Sequence, residues 1–198
     1  MSRYEKMNPD DFKHMTWGPG ILLDEFDPKT GTIEAANIRW ATTGTNSFSA
    51  TRELVDMGAD INNCPEGTKQ LQRAKPWQAQ LTGTAITVTP KELVTFFGNA
   101  DVATGDDTKV VLRNLINEKD FTGKWLIVNY SEYNGETKGG YMAIHLKNTL
   151  STNGFTANFE KEKNGQFPYT LKAYYDMADI DTVPFEIYVK AGEAEGAA

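Results

Sequence analysis

KPWQAQLTGTAITVTPKELVTFFG, residues 75–98, decides how the rest of the chain is read, because strand chemistry and helix chemistry follow one another in it. From Trp77 onward apolar residues take every second place (Trp77, Ala79, Leu81), while Gln78, Gln80, Thr82 and Thr84 take the other face. Alternation of period two predicts a half-buried strand. After Gly83 the phase changes, with Ile86 and Val88 on the parity that had been polar, so a bulge is expected at the glycine. Thr89, Pro90 and Glu92 then form a helix start: a hydroxyl N-cap, proline at the first helical position and a glutamate that reaches back to the cap. Leu93, Phe96 and Phe97 give a short apolar face, and Gly98 is the expected stop. The polar face of the strand holds hydroxyls and amides without charge, which suits packing beside another polar strand and is poor for catalysis.

Working outward, residues 1–18 read as an N-terminal arm whose Phe12 and Trp17 are candidate docking contacts, ending in a Gly18-Pro19-Gly20 break. Residues 21–26 and 32–40 flank Asp27-Pro28-Lys29-Thr30-Gly31 and are expected to form a hairpin around that turn. From 41 to 72 the pattern weakens into a long segment rich in Thr, Ser, Asn, Gly and Asp, with one expected strand over 48–55. Loops beyond ~12–15 residues in a compact domain are uncommon and tend to be functional. This one also carries Phe48, Leu54, Val55, Met57 and Ile61, so it either folds back over its own domain or needs a second chain to cover it. Past the helix, residues 99–107 read as a turn region and 109–113 as a strand. Residues 124–130 have apolar side chains at both parities, as in a strand buried on both faces. Asn134-Gly135 is a hairpin signal. Alternation then predicts strands over 141–147, 155–160, 167–175 and 183–190, with Pro168 and Pro184 at strand starts or edges. Residues 191–198 read as a frayed, acidic C-terminal tail. The sum is roughly nine strands at about 8–14-residue spacing with one short helix: a mainly β chain, an antiparallel sandwich or barrel spanning 19–190.

With 198 residues and 39% hydrophobic composition the chain is long enough and apolar enough for one domain with a sizeable core. The formal charge of −7 argues against a general electrostatic grip on nucleic acid or an anionic membrane. A lone Cys64 leaves no internal disulfide and fits a reducing compartment. The first residues lack the apolar run of a secretory signal, and no window approaches ~18 consecutive apolar residues.

Motifs of catalysis are missing. The two histidines, His14 and His145, fall on the arm and on the polar face of a strand, so a zinc site would need carboxylates for most of its ligands. There is no phosphate loop and no Gly-x-Ser-x-Gly elbow. Two acid clusters, Asp101/Asp106/Asp107 and Asp176/Asp179/Asp181, are the positions where calcium or a carboxylate pair would sit, but they lack the calcium-hand pattern and read as turn acids. Trp17, Trp40, Trp77 and Trp125 are either a sugar-stacking platform or core. The expectation is no enzyme, no metal and no cofactor.

Several strings resemble one family. T-G-x-N-S-F-S at 43–49, G-A-D-I-N-N-C-P-E-G-T-K-Q-L at 58–71, L-T-G-T-A-I-T-V-T at 81–89 and D-I-D-T-V-P-F-E-I-Y-V-K at 179–190 look like the major tail tube proteins of long-tailed bacteriophages. The resemblance implies a β-sandwich subunit with one flanking helix, six of which form a ring, with rings stacking into a tube that conducts DNA. It implies partners that are copies of the same chain, the tape-measure and tail-completion proteins, and DNA in transit, with a place in the virion after synthesis in the host cytoplasm. Segment 41–72 would then bridge rings through Phe48, Leu54, Val55, Met57 and Ile61, and Gln78, Gln80, Thr82 and Thr84 would face either the lumen or another sheet. The inner tube of a contractile particle and a carbohydrate-binding sandwich are the alternatives.

Overall fold

A computed structural model describes residues 15–130, 137–138, 140–191 and 193–194. Its strands are β1 (Thr16–Leu23), β2 (Thr42–Thr51), β3 (Leu54–Asp56), β4 (Gln72–Ala74) and β5 (Gln78–Ala85), followed by helix α1 (Pro90–Phe97). After the helix come β6 (Ala100–Ala103), β7 (Asp106–Leu112), β8 (Thr122–Tyr130), β9 (Thr137–Lys138), β10 (Tyr141–Ser151), β11 (Phe167–Ala173), β12 (Phe185–Lys190) and β13 (Glu193–Ala194). The chain is mainly β, all pairings are antiparallel, and α1 is the one α-helix among the described residues.

The main sheet runs β1-β8-β10-β11-β5-β2, with β12 also on β10. β10 pairs with β8 along one edge, while its other edge serves β12 over Tyr141 to Leu146 and β11 over Thr149 to Ser151. The handover falls at Lys147 and Asn148. Lys147 N–H donates to Pro184 O at 2.8 Å, Tyr174 N–H donates to Asn148 O at 3.2 Å, and Asn148 takes φ 47°, a left-handed conformation that asparagine tolerates better than most residues. The ladder to β8 slips at the same place. A bulge there raises the local twist and folds the sheet over, so that two halves close on a common core. That core joins Leu22, Leu126, Val128, Ile144 and Leu146 of one half to Ala79, Leu81, Tyr169 and Leu171 of the other.

The sheet is open. Its end strands β1 and β2 meet through Asn46 Nδ2, which donates to Pro19 O at 2.9 Å, and no ladder joins them. Of the expected antiparallel sandwich or barrel, the main sheet curls over a shared core and does not close into a barrel. Gly18-Pro19-Gly20, expected to end the arm, lies inside β1 as a bulge between the pairs Trp17–Asn129 and Ile21–Ile127. Gly20, at φ 77°, sits where a Cβ would come within 2.8 Å of Ile127 O.

The expected bulge at Gly83 does not form. β5 keeps its register with β11 without interruption and Ala85 stays buried, so the irregularity is in β2 between Thr43 and Ser47, opposite the glycine. Gly83 is needed for clearance: a Cβ there would stand 2.5 Å from Tyr169 Oη and collide with Asn46 Oδ1. Tyr169 Oη donates to Asn46 Oδ1 at 3.0 Å, and burial pushes its phenol up to about 12, so it remains a neutral donor.

Other expectations change for similar tertiary reasons. The turn at 27–31 forms, with Gly31 N–H donating to Asp27 O, but residues 32–40 make a 3-10 turn and one bridge (Leu23–Ile38) in place of a strand. The stretch 24–40 instead acts as a covering segment: it lays Phe26 edge-on to Trp125 and Tyr141, at 5.5 and 5.3 Å, adds Ile33, and covers the second face of β8 and β10. Burial of β8 on both faces follows as expected. Residues 99–107 hold β6 and the start of β7, a separate hairpin. Residues 155–160 are not a strand; Phe155 and Ala157 pack on the core and only Asn158 bridges to Gln166. Pro168 lies where β11 has no β10 partner, as its missing N–H requires. The tail expected to fray includes β13, paired with β9. Asn134-Gly135 and His14 lie outside the described residues.

Helix α1 forms as its sequence dictates. Thr89 and Glu92 make a reciprocal capping box, Gly98 closes the helix at φ 75°, and Phe96 packs on Trp40 with ring centroids 4.6 Å apart. One buried charge holds the covering segment: Lys124, inaccessible on β8, donates to Asp24 Oδ1 at 2.8 Å, and Asp24 also pairs with Arg39. Burial, with Arg39 close by, pushes the Lys124 ammonium down to about 8, so at neutral pH it stays charged and depends on Asp24.

Two variants check this packing. Gly83→Ala should cost about 1–3 kcal/mol in urea denaturation, with Tyr169→Phe in the same chain relieving only part, since the ring carbon remains at 2.7 Å. Asp24→Asn should cost about 3–5 kcal/mol by leaving Lys124 buried and unpaired, and adding Lys124→Met should recover most of that loss.

Candidate assembly surface

Residues 41–72, expected as a long loop with one strand over 48–55, hold two strands, β2 and β3, before an irregular stretch. β2 pairs with β5 from Thr42 to Thr51, and β3 then pairs with β4, so that residues 42–85 form one long hairpin with its tip at 57–71. At about 3.3 Å per residue each arm has a contour of roughly 45–50 Å. β3 and β4 pair only with each other, and residues 51–55 are all exposed, so the distal part stands off the body.

The hairpin bends where the two ladders part. Between Thr51–Gln78 and Leu54–Ala74, two residues of one arm oppose three of the other, including Pro76, which has no N–H for a ladder. This elbow is pinned. Trp77 N–H donates to Tyr175 Oη at 2.9 Å, the Trp77 ring stands edge-on to Phe185, Arg52 lies over that ring at 5.4 Å, and Lys75 pairs with Glu53 at 2.5 Å.

The tip is folded by its own polar groups. Asp56 accepts from Gly67 N–H at 2.7 Å and Gly58 N–H at 2.8 Å, and these two backbone donors hold its carboxyl below the usual carboxylate range. Ile61 N–H donates to Gly58 O, Cys64 N–H to Ile61 O, and Thr68 Oγ1 to Pro65 O at 2.7 Å. Several polar groups of the tip backbone are thus paired locally while Met57 and Ile61 stay exposed. Leu54 is 65% exposed, and Val55, Met57 and Ile61 are exposed as well. Phe48 goes the other way: it is half-buried beside Leu81 and edge-on to Phe185. Trp17, at 77% exposure, stands on β1, the terminal strand of the sheet, and Phe12 lies outside the described residues.

Gln78 and Gln80 are exposed and Thr82 and Thr84 half-exposed, on the side of β5 away from the core. They are flanked in register by Thr51, Ser49, Ser47 and Thr43 of β2 and by Lys172 and Thr170 of β11. This face therefore packs on no second layer. β2, β5 and β11 contain no carboxylate and one charged residue, Lys172, although the chain carries a net −7.

Sequence reasoning missed further exposed apolar residues: Val111, Leu112, Leu115 and Ile116 on and after β7, Met177 and Ile180 in the turn before β12, and Ile187 and Val189 on β12. The run VVLRNLIN was a signal for the first group, since it shows no alternation that would bury one side. The β12 residues gave no signal, because alternation marks a face without saying what covers it.

One or more members of each acid cluster are engaged locally. Asp101 pairs with Arg113 at 2.6 Å and Lys119 at 2.8 Å, Asp106 accepts from Thr108, and Asp176 accepts from Ala178 N–H. Among the described residues no group of three His, Cys, Asp or Glu is placed to hold a metal ion. His145 lies flat on Trp125 at 4.0 Å, and burial lowers its affinity for a proton. Trp40 and Trp125 are buried and Trp77 is in the elbow, so the four tryptophans form no common platform. No helix of the described residues is long and apolar enough to cross a membrane. The chain matches no family model and no curated protein.

The Asp56 clamp predicts a pH response. Its folded pKa lies below the unfolded value, so the stabilisation it gives the tip is complete above about pH 4 and is lost as pH falls through the lower, folded value. Asp56→Ala should lower the hydrogen-exchange protection factors of Gly58 and Gly67 at neutral pH, and protonation of Asp56 in acid should lower the same two factors in the parent, while β8 and β10 amides keep their protection.

Proposed function

We propose that this chain is a self-assembling structural subunit of the phage tail tube type, without catalysis, whose copies form rings of six that stack into a DNA-conducting tube. The observation that carries this reading is the hairpin. Its tip is clamped by Asp56, and it holds Leu54, Met57 and Ile61 out in solvent on a pinned arm, a display of apolar residues that isolated monomers rarely make. Among the described residues the outer edge of β12 is unpaired, as are the parts of β1 and β2 away from the Leu23–Ile38 bridge and the Asn46–Pro19 contact, and this supports lateral contacts, since an unpaired strand edge is a template for another chain. The hairpin bridges ring to ring, and Trp17 on β1 and the β12 edge serve contacts within a ring.

The outer face of β2, β5 and β11 suits the channel wall. Hydroxyls and amides offer DNA no fixed array of cations that would bind its phosphates, and they offer no carboxylates either. The wall is then close to neutral, and the acidic charge of the chain lies on other surfaces. Tape-measure and tail-completion proteins would be the further partners, and the virion the place of action.

Negative-stain microscopy at rising concentration tests the proposal: rings of six and tubes are the expected result, and a monodisperse monomer at high concentration overturns it. Because β2 belongs to the main sheet, the informative deletion replaces residues 57–71 with Asn-Gly. That variant should keep the parent's circular dichroism and form rings that do not stack; unimpaired stacking would remove the role given to the tip.

A further inference from the structure

β11 and β12 share one edge of β10 and part at Lys147 and Asn148, and the turn that joins them, residues 174–184, borders the gap they leave. Between that turn and β8 and β10 lies a half-open pocket of about 340 Å³, at the small end of the range that holds a small molecule. Its floor is Gly123, His145 and Lys147. Gly123 sits inside β8 without a left-handed φ, so backbone conformation does not require it. A Cβ there would come within 3.2 Å of His145 Nε2, and the missing side chain keeps the floor open. This floor is held in place by its own neighbours. His145 lies flat on Trp125 with Nδ1 3.9 Å from Glu186 Oε2, and Glu186 also accepts from Lys147 and, at 2.5 Å, from Tyr188 Oη. Tyr174, the aromatic member of the lining, stands edge-on to Phe121 at 5.5 Å. Asp176 and Asp179 are exposed at the rim; Asp176 Oδ1 accepts from Ala178 N–H at 2.9 Å.

The lining selects a class of ligand by exclusion. A metal ion does not suit it, because among the described residues no three His, Cys, Asp or Glu are placed to hold one. An anion meets the two rim carboxylates, a compact cation meets the Lys147 ammonium, and an apolar molecule meets a mostly polar wall. What remains is a neutral molecule whose groups both donate and accept hydrogen bonds, which is what hydroxyls do. Acceptors are the two carboxylates and His145 Nε2, left unprotonated where Glu186 favours the proton on Nδ1. Donors are the Lys147 ammonium and the Asn148 amide, and Tyr174 and Pro184 add apolar surface. We infer that this pocket binds one sugar ring of a saccharide, its hydroxyls shared between His145, Lys147 and Asn148 on one side and Asp176 and Asp179 on the other, with Tyr174 against its C–H groups. The open mouth lets that ring be the end residue of a longer glycan. All of these residues belong to one copy of the chain, so the site goes beyond the self-assembly reading and does not rest on it.

Saturation-transfer NMR on the full chain, with the methyl glycosides of glucose, galactose, mannose and N-acetylglucosamine as probes, tests the site. At least one should bind saturably with a dissociation constant on the order of 1 mM, the strength expected of a ligand of so few atoms. Asp179→Ala, at an exposed position that folding does not depend on, should weaken that binding about tenfold, as loss of a hydrogen bond to a charged group does. Gly123→Ala, which presses on His145 Nε2, should weaken it as well, whereas Asp60→Ala on the hairpin tip should leave it unchanged. Absence of saturable binding by every glycoside overturns the site, and so does binding that Asp179→Ala and Gly123→Ala both leave intact. Agmatine, a guanidinium probe, bound in preference to every sugar overturns the ligand class. A trisaccharide ending in the preferred sugar separates two sources, both of which support the site: tighter binding than the methyl glycoside assigns a glycan chain, and equal binding a free sugar. None of these readouts depends on ring or tube formation.

Discussion

Asn148 and the bulge around it are what the architecture depends on. β10 must give one edge to β8 and divide the other between β12 and β11, and a flat, regular strand cannot serve two partners that lie in different directions. The left-handed residue and the slipped ladder to β8 supply the turn at the point where β12 gives way to β11. From that fold the common core follows, and so does the near approach of β1 and β2, bridged by Asn46 and Pro19. Gly83, Tyr169 and Asn46 then form a chain of close contacts from the core out to that seam.

The same bend determines where the core ends. β10 and β12 extend beyond the region that β2 and β5 cover, and the hairpin departs at Pro76 instead of following them. An arm that leaves the body loses most of the tertiary contacts that order a strand, and this one replaces them with an elbow pinned by Tyr175 and a tip clamped by Asp56. Such an arm keeps its direction without a partner. Preorganisation of this kind lowers the ordering cost of any contact the tip makes.

Charge is distributed to match. The half built from β2, β5 and β11 is nearly free of ionised groups, whereas the covering segment, the β6–β7 hairpin with the loop after it, and the turn before β12 hold many of the acids. Several of those acids are engaged locally: Asp24 with Lys124 and Arg39, Asp101 and Asp120 with Arg113. They keep the surface polar while being held by their own neighbours.

Local rules, which need only neighbours in sequence, could be read directly from the residues. The capping box of Thr89 and Glu92, the stop at Gly98, the alternation of Trp77, Ala79 and Leu81, the uncharged face of Gln78 to Thr84, the turn at 27–31 and the double burial of β8 all depend on hydrogen bonds or patterns within a few positions. Whatever required a distant partner was decided by the tertiary structure. Gly83 looked like a bulge because a glycine in a strand is ambiguous until Tyr169, eighty-six residues away by number (169 − 83), is placed against it. Residues 41–72 looked like a loop because Thr, Ser and Asn have weak preferences of their own, and they become strand only where β5 supplies a ladder. Ile187 and Val189 looked buried because alternation identifies an apolar face, while coverage depends on how far the opposing half of the sheet extends.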